Sequence, residues 1–96
     1  MRRNEILRIL SEHRSETGRF GVKSLALFGS VVRGTQRPDS DIDILVEFEG
    51  RATFDRYMEL KFFLEELLGA PVDLVTHKAL RPSLRPSIER EAIYVA

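Results

Sequence analysis

Apolar and polar positions change period several times along the chain, and each change marks an element. Between residues 4 and 16, Ile6, Leu7, Leu10 and His13 recur at helical spacing, and Asn4 offers an N-cap, so a helix is predicted there. Gly18 and Gly21 punctuate the loop that follows. From Val22 to Phe28 the period becomes two, which predicts a strand. Val22, Ser24, Ala26 and Phe28 lie on one face, and Lys23, Leu25 and Leu27 on the other. Gly29-Ser30 ends it, a helical turn is expected over 31–33, and 34–40 reads as a polar loop. Asp41 to Phe48 alternates most clearly: Ile42, Ile44, Val46 and Phe48 share one face, and Asp41, Asp43, Leu45 and Glu47 the other. Thr53 is placed to cap a long amphipathic helix over 54–68, whose core stripe reads Phe54, Tyr57, Leu60, Leu64, Leu67 and Leu68. Gly69 and Pro71 stop it. Val72 to Thr76 is a third strand. The tail over 78–91 reads as a helical turn and a short helix broken up by Pro82 and Pro86. Ile93-Tyr94-Val95 adds a short terminal strand.

This order predicts an α/β (α+β) domain: a small mixed or mostly parallel sheet flanked by helices. The order of strands within the sheet is not contained in the pattern. With 96 residues there is room for one domain, 1–96, and none for a second that would hold a large substrate. A large substrate must then be held partly by a partner or by a second copy of the chain.

Charge and cysteine content exclude several functions. Fifteen Lys+Arg balance fifteen Asp+Glu, without the positive excess that direct nucleic-acid binding needs. Zero cysteines exclude a disulfide scaffold and any cysteine-ligated metal, and suit a reducing cytoplasm. The N-terminal Arg2 and Arg3 have no apolar run behind them, so no signal peptide is expected. Apolar runs fall far short of the roughly 20 residues that span a bilayer, so no membrane segment is expected either.

Candidate chemistry gathers at the strand ends. Gly29 lets the backbone turn tightly, and N–H groups opening the next helical turn can hold phosphate oxygens, with the Ser30 hydroxyl as a further donor. A Gly-Ser pair is also a common structural turn. Asp41 and Asp43, two residues apart on a strand, point the same way and repel unless something neutralises them; divalent cations with oxygen ligands do so, Mg²⁺ above all. Exposed turn acids are the plainer alternative. Asp73 interrupts an apolar strand, where a carboxylate is costly to bury unless paired or metal-bound, though a strand edge facing water also explains it. If its strand lies beside that of Asp41 and Asp43, the three acids can meet around two metals, an arrangement suited to in-line displacement at phosphorus.

The spacing of Gly29-Ser30, ten residues, then Asp41-Ile42-Asp43 resembles the signature of the nucleotidyltransferase superfamily that includes DNA polymerase beta. The segments Phe28-Gly29-Ser30-Val31-Val32-Arg33-Gly34 and Ser40-Asp41-Ile42-Asp43-Ile44-Leu45-Val46 resemble its smallest branch, the minimal nucleotidyltransferases. The later Asp73 and the terminal Glu91-Ala92-Ile93-Tyr94-Val95 agree, so the resemblance covers nearly the whole chain. It implies a polymerase beta-like fold in which Gly29 and Ser30 hold nucleotide phosphates and Asp41 and Asp43 bind two Mg²⁺ ions. The resemblance likewise implies that Asp73 is the third metal ligand and helps deprotonate the attacking hydroxyl. Arg33 occupies a common basic position, for phosphate or for a salt bridge. The implied activity is transfer of AMP from ATP. Members of this branch pair with a HEPN-domain toxin as its antitoxin, and some adenylylate a tyrosine of that toxin. Two other functions compete: a binding antitoxin without turnover, and a nucleotidyltransferase acting on a small molecule. A homo- or hetero-oligomer is compatible with each.

Plainer readings suffice elsewhere. Arg37 reads as a solvated loop residue, with reach to a triphosphate as the alternative; His13 is a boundary residue, His77 the start of a turn, and Arg81, Arg85 and Arg90 a solvated face, with a partner or nucleotide contact as the alternative. Phe62 falls on the charged side of the long helix, beside Phe63, where the two can widen an apolar surface for a protein partner.

Overall fold

A computed structural model describes residues 1–95. Ten elements follow one another: α1 (Arg3–Glu12), α2 (Arg14–Gly18), β1 (Val22–Phe28), α3 (Ser30–Arg33), β2 (Ile42–Phe48), α4 (Phe54–Leu68), β3 (Val72–Thr76), a 3-10 turn (His77–Ala79), α5 (Arg85–Glu91) and β4 (Ile93–Tyr94). The first predicted helix is two: the chain breaks at His13, whose Nδ1 lies 2.7 Å from the Ile9 carbonyl. Arg2, not Asn4, is the N-cap of α1, and no side chain caps it.

The four strands form one sheet in the order β3-β2-β1-β4. β1 runs antiparallel to both β2 and β4, and β2 runs parallel to β3. The sheet is therefore mixed, with a single parallel pair rather than a mostly parallel array. Its larger face buries Leu25, Leu27, Ile44, Val46, Val72 and Leu74 against Ile6 and Leu10 of α1 and Leu60, Leu64 and Leu68 of α4. Each fully buried leucine contributes about 2 kcal/mol of apolar burial. The other face is smaller, with Ala26, Phe28 and Leu45 covered by Leu80 and, in part, Ile88 and Ala92.

Two positions depart from the alternation. An extra residue between Val22 and Ser24 shifts the β1–β2 register, and this bulge carries Val22 over to the face of Leu25 and Leu27. Phe54 is 76% exposed instead of joining the α4 stripe. At 3.6 residues per turn it lies only about 40° around the helix from buried Leu68, so it is its place as the first residue of α4, rather than its angle, that sets it apart from the stripe.

Thr53 caps α4 as expected, its hydroxyl accepting from the Arg56 N–H. Arg56 itself is a structural tie that periodicity does not reveal. Its guanidinium donates to the carbonyls of Phe20, Gly21, Glu49 and Arg51 and lies 5.1 Å from the centroid of the Phe48 ring. Arg85 also departs from the solvated face: it is half-buried and donates to the carbonyls of His77 and Leu80. No helix among the described residues is long and apolar enough to cross a membrane.

Candidate active site

Strand direction brings the chemistry to one edge of the sheet. Because β1 opposes β2 while β2 and β3 run together, the C-terminal end of β1 meets the N-terminal ends of β2 and β3. Phe28, Asp43 and Asp73 occupy one row across the three strands. Gly29 follows at once, with φ 80° and ψ −153°, a conformation essentially confined to glycine. A Cβ there would stand 2.0 Å from Oδ2 of Asp43. The glycine is thus required twice, by its backbone and by the carboxylate pressed against it. Ser30 then opens α3.

Asp43 is the perturbed group. Burial pushes its carboxyl up from 3.8 to about 6, reinforced by the Asp73 charge, a hydrogen bond with the Asp73 side chain and the Asp41 charge; a backbone hydrogen bond from Ser30 opposes the rise. Like charges directly opposite on paired strands destabilise a sheet. Among the described residues, Asp41, Asp43 and Asp73 enter no ion pair. The edge therefore carries carboxylates that no cation among the described residues neutralises, and a bound proton or an external cation relieves their repulsion.

The three acids do not form a ready-made cage. Asp43 and Asp73 face each other. Asp41 sits just before β2 and is exposed, and no three His, Cys, Asp or Glu side chains among the described residues are grouped to hold a metal. The expected meeting of three acids is thus met by two of them. That donor set still fits Mg²⁺, which commonly binds through one or two carboxylates, water and substrate phosphates rather than in an all-protein cage.

Arg33 is committed to a salt bridge. Its Nη1 donates to Oε1 of Glu91 at 2.7 Å, while Oε2 of Glu91 accepts the Gly29 N–H at 2.8 Å. Glu91, at the end of α5, thus belongs to the site; in the sequence it stands out only as part of the terminal segment that carries the resemblance. An adjacent cleft of about 550 Å³ is lined by Arg2, Arg3 and Arg33 with Asn4, Val31, Val32, Gly34 and Gln36, and by no acid. Arg2 and Arg3 were likewise not singled out by spacing. Arg37 stays exposed in its loop.

A glycine turn beside paired, unneutralised carboxylates, on a mixed sheet in this order, defines a class: enzymes that handle phosphate groups at a strand edge. The nucleotidyltransferase domain family matches residues 3–95. Protein adenylyltransferase MntA of Thermococcus cleftensis is 45% identical over 92 residues, which is 95% of this chain and 93% of that protein. A solved minimal nucleotidyltransferase structure matches with a TM-score of 0.81 at 46% identity, covering 93% of this chain and 92% of that one. A toxin–antitoxin crystal structure with AMP-PNP matches with a TM-score of 0.71 at 26% identity, covering 90% of this chain and 72% of that one. The chain belongs to the nucleotidyltransferase family, in its minimal branch, and has the polymerase beta-like fold.

Proposed function

We propose that this protein transfers AMP from ATP to a hydroxyl, that of a tyrosine, on a cognate HEPN-type protein, and that it thereby acts as the antitoxin of a toxin–antitoxin pair in the cytoplasm. The observation that carries this is the Asp43–Asp73 pair, facing across β2 and β3 beside Gly29 with no cation of its own. Near full-length identity to a protein adenylyltransferase supports the acceptor class, and likeness to a toxin–antitoxin structure holding AMP-PNP supports both the nucleotide and the pairing.

In the proposed reaction the acceptor oxygen attacks the α-phosphorus of ATP in line. The bond from that phosphorus to the bridging oxygen breaks, and pyrophosphate leaves. Asp73 takes the hydroxyl proton. Asp41, Asp43 and Asp73 would hold two Mg²⁺ ions, which would supply positive charge to offset the charge building on the phosphates. The Ser30 hydroxyl faces the phosphates at the tight turn that Gly29 shapes, and Arg33 adds positive charge beside them. With one small domain, the acceptor is oriented by docking of the whole partner rather than by a pocket.

The test is incubation with ATP, Mg²⁺ and the protein encoded beside this one, followed by intact mass. An AMP-sized gain on the partner, absent with Asp43→Asn, is expected. A folded wild type that leaves the partner's mass unchanged contradicts the proposal.

A further inference from the structure

We infer that Glu91 is a positioning residue for the phosphate turn, clamping Gly29 and Arg33 together from the far end of the chain. Its two carboxylate oxygens are divided between them, one accepting the Gly29 N–H and the other the Arg33 guanidinium. Both bonds are charge-assisted, the stronger kind. The inference rests on the nucleotide reading of the Gly29–Ser30 turn proposed above.

Three features separate this clamp from an incidental surface pair. Glu91 is only 20% exposed, whereas Arg33 is 56% exposed, so the carboxylate is the fixed member. It is held on both sides: Ile88 accepts the N–H of Ala92, and Ile93 pairs with Leu27 on β1. Finally, Glu91 is the last residue of α5, where the helix dipole disfavours negative charge. The position opposes the local preference of the helix, and the bonds to Gly29 and Arg33 offset it.

The clamp acts where stiffness is otherwise lacking. Glycine at φ 80° has no Cβ to restrict it, so the turn that meets the phosphates has little conformational preference of its own. Asp43 presses on one side of Gly29, and Glu91 holds its N–H on another. In consequence the Gly29 N–H is not a phosphate donor. Gly29 serves by its shape, direct phosphate contact falls to Ser30, and Arg33 is held in place by Glu91 instead of folding onto the aspartates.

The experiment compares wild type, Glu91→Gln and Glu91→Ala by calorimetry with MgATP, by amide hydrogen exchange, and by the KM values for ATP and for the acceptor protein. Losing a charge-assisted bond at both partners predicts MgATP binding weaker by about tenfold in each variant. The KM for ATP rises similarly while the KM for the acceptor stays unchanged, a split that general loosening would not produce. In Glu91→Ala the Gly29 amide exchanges faster while those of Leu27 and Ile44 in the sheet keep their protection, which shows the fold intact. A wild type that binds MgATP beside variants that bind it equally well or more tightly overturns the inference alone. A wild type that binds no MgATP overturns the functional reading, and the inference with it.

Discussion

Two glycines flank β1, and at each a Cβ would enter space that a charged side chain now occupies. At Gly21 a Cβ would meet the Arg56 guanidinium, at 1.8 Å; at Gly29 it would meet the Asp43 carboxylate, at 2.0 Å. Both have positive φ. The ends differ in what happens to the charge. Arg56 is surrounded by the carbonyls of Phe20, Gly21, Glu49 and Arg51 and backed by the Phe48 ring, so its charge is satisfied within the fold. Asp43 faces a second carboxylate, that of Asp73, and burial with that charge pushes its carboxyl up to about 6. One end of the sheet is completed by the chain itself. The other is left incomplete, as the proposed binding of a nucleotide there requires.

Substitution at the two ends should therefore separate stability from activity. The largest effect is expected from Asp43→Asn: AMP transfer to the partner falls by at least about a thousandfold, with the circular dichroism spectrum preserved. Arg56→Ala should do the reverse. Urea unfolding should show a loss of about 3 kcal/mol, while transfer per folded molecule stays near wild type. Alanine at either glycine should cost about 2 kcal/mol from backbone strain, but only Gly29→Ala should also abolish transfer, because only there does the methyl group displace a carboxylate proposed to hold metal.

A smaller effect concerns pH. The folded Asp43 keeps its proton up to about 6, whereas the unfolded residue releases it near 3.8. Between those values the folded chain binds more protons, so this group's contribution to stability declines as pH rises through the window. It is at its least favourable above about pH 6. Asp43→Asn removes that penalty. The metal-free variant should be more stable than wild type by about 1 kcal/mol near neutral pH, after discounting for solvent screening, and the difference should vanish below pH 3.8. Smallest of all, Phe54→Ser should shift stability by no more than about 0.5 kcal/mol, since the ring is exposed.

How much of this was legible in the chain follows from the range over which each signal acts. β1, β3 and α4 appear at the predicted residues, because alternation, Thr53 and Gly69 act within a few positions. The Asp43–Asp73 row was expected only if two strands proved to be neighbours, and their parallel pairing supplies that condition. Strand order was beyond reach, since the pattern of each strand says which face is buried and not which strand lies beside it. Phe54 is the first residue of α4, and a list of apolar positions does not say that the helix end stands clear of the core. Phe62 stands out from the surface as expected, but Phe63 turns inward, with its ring centroid 5.2 Å from that of Phe20, and so does not widen the patch. The ties made by Glu91 and Arg56 join residues that only the folded sheet brings together, Glu91 across 62 positions to Gly29 and Arg56 across 36 to Phe20. A lone Glu near a terminus and a lone Arg on a helix give no warning of either.

On the proposed function, the Gly29 end of the sheet is left incomplete for a cation and a nucleotide. The most direct measurement is thermal unfolding of wild type and Asp43→Asn near neutral pH, with and without MgCl₂ and a non-hydrolysable ATP analogue. Wild type should gain several degrees on addition of both, and Asp43→Asn, although the more stable of the two without them, should gain none. Equal gains in the two proteins, or none in the wild type, would contradict the claim.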